Sequence, residues 1–96
     1  MSLQVDGVAR LAPVLDINAA APLAAELLAL RGAPVSLDAS AVTRLGGLCL
    51  QVLLSAQTAW SIDRQPFRIA DPSPAFSEAL ALFGAATLEQ AAGAAS

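Results

Sequence analysis

The sequence predicts an α/β domain, a mixed sheet with helical crossovers, its elements in the order β, β, α, β, α, β, α. Three observations lead there. Val35-Ser-Leu-Asp38 and Phe67-Arg-Ile-Ala70 are short apolar runs of strand length. They alternate with longer segments whose apolar residues recur at three- and four-residue spacing, as on one face of a helix. Gly, Pro, Asn and Ser stand at the junctions, where turns and helix ends need them. Right-handed crossovers then place the helices mainly on one side of the sheet.

Taken in order, Leu3–Val5, Asp6-Gly7 and Val8–Leu11 read as a hairpin, because Asp-Gly favours a two-residue turn. Pro13 breaks the ladder, and Val14-Leu15 extends the second strand past a bulge. Asn18 caps a helix over residues 19–31, with Pro22 in the first turn and Gly32 as the C′ residue. Its apolar face is Ala20, Leu23, Ala24, Leu27 and Leu30. In the strand Val35–Asp38, Val35 and Leu37 point one way and Ser36 and Asp38 the other. A loop loosened by Gly46 and Gly47 leads to a helix from Leu48 to Trp60. After Pro66 comes the strand Phe67–Ala70. Ser73 then caps a last helix with Pro74 at its first position, a stripe of Phe76, Leu80 and Phe83, and Gly84 at its close. A final strand near Ala86–Leu88 is the poorest candidate, and 89–96 reads as a frayed tail.

Ninety-six residues make one domain, spanning 1–96. Charged residues are only 14% against 56% hydrophobic, so some apolar surface is expected to face outward, toward a protein partner or a second copy. The formal net charge is −3. Arg10, Arg31, Arg44, Arg64 and Arg68 are scattered and outnumbered by carboxylates, which excludes a basic stripe for nucleic acid or an anionic membrane. Nothing at the N-terminus has a basic region followed by an apolar stretch, and no run is long and apolar enough to span a bilayer. The reading is a soluble, cytoplasmic protein.

Catalytic and cofactor chemistry finds no support. Without His there is no Ser-His-Asp or Cys-His arrangement and no Cys/His metal site. No Walker-type loop or Gly-x-Gly-x-x-Gly is present, so no cofactor is expected. Asp16 and Asp38 could approach as a pair of acids, but Asp38 is better read as capping the turn that follows it.

The helix over 48–60 repays a wheel at about 100° per residue. Cys49, Leu53, Ala56 and Trp60 cluster on one side and should pack on the sheet. Gly47, Gln51, Ser55 and Thr58 cluster opposite. Leu48 and Leu54 lie about 60° from the polar centre, so both are expected to be at least half exposed. The wheel points Cys49 into the core, where a free thiol acts as a small hydrophobe.

The segment Leu37-Asp38-Ala39-Ser40-Ala41-Val42, with Leu45 and Leu50-Gln51-Val52-Leu53-Leu54, resembles the core of the STAS family, whose members include anti-sigma factor antagonists. The resemblance covers Val8 to Leu88 and implies a STAS-like mixed sheet of four or five strands. It also implies a non-catalytic regulatory module that docks a signalling partner, an anti-sigma kinase or a chemotaxis-type histidine kinase, through the start of its second helix. The contact residues it points to are Arg44, Gly46, Gly47, Leu48, Gln51 and Leu54. The family's phosphoacceptor Ser or Thr falls on Gly47 and Leu48, which have no hydroxyl. The nearest hydroxyls are Thr43 and Ser40, the second read as bonding local backbone in a turn. An alternative is a subunit of a lipid-type ABC transporter complex, clamped to its ATPase, and a homodimer is a third possibility.

Overall fold

The structure, a computed structural model, describes residues 8–85 and Leu88. The elements are β1 (Val8–Arg10), β2 (Val14–Leu15), α1 (Ile17–Ala29), β3 (Val35–Asp38), β4 (Arg44–Leu45), α2 (Gly47–Ile62), β5 (Phe67–Ala70) and α3 (Pro74–Leu82). The anticipated strand Leu3–Val5, its Asp6-Gly7 turn and the tail 89–96 lie outside the described residues. So do Ala86 and Thr87 of the doubtful last strand, while Leu88 has helical backbone and is fully buried.

Strands β1, β3 and β5 form a parallel sheet with β3 in the centre. Ala9 lies opposite Leu37, Leu37 opposite Ile69, and Val35 opposite Phe67. Side chains in register on parallel strands share a face. One face is therefore apolar and buried or partly buried: Ala9, Val35, Leu37, Phe67 and Ile69. The other carries Arg10, Ser36, Asp38 and Arg68, partly or fully exposed. A sheet with one apolar face needs helices on that face alone. α1 contributes buried Leu23 and Leu27, α2 contributes Cys49, Leu53 and Trp60, and α3 contributes Phe76 and Leu80 to one continuous core.

The strand that was to extend β1 does something else. Val14–Leu15 pairs with Arg44–Leu45, read from sequence as loop, in a separate two-stranded parallel ladder. Two residues are too few to show alternation, so the sequence pattern could not reveal β4. The ends of α1 also differ from expectation. Asp16, not Asn18, is the N-cap, its carboxylate accepting from Asn18 N–H at 3.0 Å. Pro22 consequently sits in the second turn, where its missing N–H leaves the exposed Asn18 carbonyl without its helical donor. Gly32 lies two residues past the C-cap Leu30, at φ 97°, a conformation that favours glycine. α2 extends past the anticipated span 48–60 at both ends, by Gly47 at its start and to Ile62 at its close.

Trp60 fixes the far end of α2. Its indole N–H donates to Ala33 O at 2.8 Å, and its ring meets Phe67 edge-on with centroids 5.8 Å apart. Ser73 fixes α3. Its buried hydroxyl accepts from Phe76 N–H at 3.1 Å and donates to Val42 O at 2.5 Å. Ser73→Ala removes the cap and leaves a buried carbonyl unmatched, so it should lower stability by about 1–2 kcal/mol. A shift of the urea midpoint at unchanged slope checks this.

Candidate docking site at the start of α2

The loop from Asp38 to Gly46 is built by short-range hydrogen bonds. Asp38 accepts from Ser40 N–H at 2.9 Å, the turn-capping role read from its sequence. The backbone N–H and then the hydroxyl of Ser40, with a further contribution from Arg10 at 3.5 Å, hold the Asp38 carboxyl below its ordinary pKa.

Past Val42 the loop is tied to the segment before α1. Thr43 N–H and Arg44 N–H both donate to Pro13 O, at 2.7 and 3.2 Å. The Thr43 hydroxyl donates to the same carbonyl at 3.1 Å. Gly46 N–H donates to Leu15 O at 2.8 Å, and the Cys49 thiol donates to Asp16 O at 3.3 Å. The starts of α1 and α2 are thereby held side by side. Cys49 is fully buried, and desolvation, with a smaller push from Asp16, raises its thiol pKa. It is an inert core group, as the wheel indicated.

At the start of α2 the backbone is bare. Gly46 is the N-cap with no side chain to bond the first turn, and no acidic residue follows. The first-turn N–H groups face outward without a side-chain partner. Gly47 and Leu48 are exposed, Leu48 to 51%. Arg44 is exposed beside them and is in register with Val14, another exposed apolar residue. Gln51 follows one turn on, also exposed.

Leu54 departs from the expectation. It is partly buried rather than half exposed and packs against the core, and Leu50 beside it is 4% exposed. The wheel treated the two flanks of α2 as equivalent. In the fold Leu50 is buried and Leu54 and Gln57 are partly covered, whereas Leu48 on the other flank is exposed. The structure therefore brings Arg44, Gly46, Gly47, Leu48 and Gln51 onto one surface and leaves Leu54 off it. It adds Val14 and Ile17, exposed to 45% and 69% at the adjoining start of α1. Nothing in their spacing marks them as surface, because Ile17 was read as lying before the helix.

The two glycines are not equivalent. A Cβ on Gly46 would meet Leu15 O at 3.3 Å, whereas one on Gly47 meets nothing within 4 Å. Gly46→Ala should cost about 1 kcal/mol, because it pushes on the carbonyl that its own N–H bonds. Gly47→Ala should be neutral or stabilising by up to about 1 kcal/mol. Paired thermal unfolding of the two variants checks the contrast.

No helix among the described residues is long and apolar enough to cross a membrane. A family model described as "Mlab, STAS domain" matches residues 2–90. No curated protein and no solved structure matches the chain.

Proposed function

Because the chain belongs to the STAS domain family, whose domains are in general non-catalytic modules of protein–protein interaction, we propose that it docks a protein partner through the start of α2. The observation that carries this reading is Leu48, half exposed on a helix start made only of glycine and leucine. Exposed leucine is unremarkable singly. Here it stands beside exposed Val14 and Ile17, and the backbone around it carries no bulk that would hold a partner away. Arg44 at the rim orients the approach and sets the partner's sign, an acidic patch.

The contact is constitutive. Gly47 and Leu48 offer no hydroxyl where the family's acceptor stands. The Thr43 hydroxyl is bonded to Pro13 O, and the Ser40 N–H ties its loop to the Asp38 carboxylate. No phosphate is needed for binding, and none at Gly47 or Leu48 can release it. The partner on this reading is a signalling kinase, of the anti-sigma or chemotaxis-type histidine kinase class. A second reading, a subunit clamped to the ATPase of a lipid-type ABC transporter in the cytoplasm, is favoured by the Mlab description of the matching family and by the lack of a switch, which suits a permanent complex.

Affinity capture from the native host tests the surface and separates the classes. The wild-type chain and Thr58→Asp, altered at an exposed position nearly three turns away, should retain the same protein. Leu48→Asp should lose it while keeping its melting temperature. The sequence of the retained protein, kinase or transporter ATPase, decides between the readings. Retention by Leu48→Asp at wild-type level contradicts the docking surface.

A further inference from the structure

We propose that Ser73 is a positioning residue for the docking surface: from the start of α3, its hydroxyl orients the peptide group that leads the chain into β4 and α2. The consequence for binding rests on the docking reading above. The effect on the loop does not.

The peptide group joining Val42 to Thr43 is bonded at both ends. Its carbonyl accepts from the Ser73 hydroxyl at 2.5 Å. Its N–H donates to Pro13 O at 2.7 Å. The two partners come from distant parts of the chain, one opening α3 and the other preceding β2. Because a peptide group is planar, fixing the direction of the carbonyl fixes that of the N–H. The Thr43 bond is the first of the ties that run through Arg44 to Gly46, the N-cap of α2. Ser73 also grips the other end of the same turn. Its N–H donates to Ala39 O at 3.2 Å, the carbonyl that accepts from Val42 N–H at 3.3 Å.

The residue type matters. The hydroxyl accepts from Phe76 N–H while it donates to Val42 O. An ionised aspartate caps a helix as well as serine does, but it can only accept. Ser73 and Val42 are both buried, so bulk water does not replace a lost donor. The backbone that presents the hydroxyl is stiff. Pro72 and Pro74 flank Ser73, and a residue before proline is held extended, here at φ −68° and ψ 161°.

Ser73→Gly and Ser73→Thr separate positioning from capping. Glycine caps a helix nearly as well as serine but has no hydroxyl, whereas threonine keeps one. The reference is the Val35 amide, bonded to Pro66 O in the central ladder, which reports the opening of the whole fold. In Ser73→Gly, hydrogen exchange at Thr43 should accelerate about tenfold more than at Val35. Gly46 should follow Thr43, and Ser73→Thr should restore both. Should Ser73→Gly fail to fold by circular dichroism, Ser73→Cys, whose thiol donates only weakly, should show the same excess at Thr43. Equal acceleration at Thr43 and Val35 overturns the positioning role, because Ser73 would then act on α3 alone. These comparisons need no partner, so they are independent of the Leu48→Asp result that tests the docking surface. In affinity capture, Ser73→Gly should retain less than half of the protein that the wild-type chain retains, and Ser73→Thr should recover it. Wild-type retention by Ser73→Gly overturns the link to binding.

Discussion

The backbone hydrogen bond from Gly46 to Leu15 O is the constraint on which the rest of the surface depends. It closes the β2–β4 ladder one residue before α2 begins, and it is unstrained because residue 46 has no Cβ to crowd the same carbonyl. The bonds from Thr43 and Arg44 to Pro13 O and from Cys49 to Asp16 O extend the tie on either side. Together they place the start of α2 beside the start of α1. From that placement follows the exposure of Leu48 next to Val14 and Ile17. The energetic weight of the individual bonds is modest, each on the order of 1 kcal/mol. Their effect is positional: at the proposed docking surface a partner would meet residues already in place, and less ordering entropy would be lost on binding.

The core supplies the stability that this arrangement needs. Leu37 in the central strand, Leu53 and Trp60 of α2, and Phe76 of α3 are essentially removed from water. Each full burial of this kind is worth about 1.5–3 kcal/mol. A chain of this size has few such groups to lose. Arg31 and Asp63 clip the far ends of α1 and α2 together, with each partner's charged form favoured by the other. That pair is exposed and contributes little to stability.

Much of the fold was legible because periodicity and punctuation agreed. The strands Val35–Asp38 and Phe67–Ala70, the Ser73 cap with Pro74 behind it, and the buried side of α2 all rest on patterns several residues long. What escaped were features that depend on distant chain segments. Arg44-Leu45 becomes a strand only because Val14-Leu15 arrives beside it. Asp16 outcompetes Asn18 as a cap because the chain turns into α1 two residues earlier than the apolar spacing suggests. Leu54 is partly buried and Leu48 is exposed, an asymmetry a wheel cannot contain, since it knows the helix but not its neighbours. The glycines at 46 and 47 were visible as a loosened helix start. Their opposite tolerances, one against a carbonyl and one against open space, were not.

Amide hydrogen exchange on the isolated chain tests most directly whether the start of α2 is held in place before any partner arrives. The Gly46 amide, bonded to Leu15 O, should exchange slower than that of Gly47, which has neither an intrahelical acceptor nor a cap, by on the order of a hundredfold or more. Thr43 should be protected along with Gly46. Equal and rapid exchange at residues 43, 46 and 47 would mean that the loop is loose in solution, and the account of a preformed docking surface would be wrong.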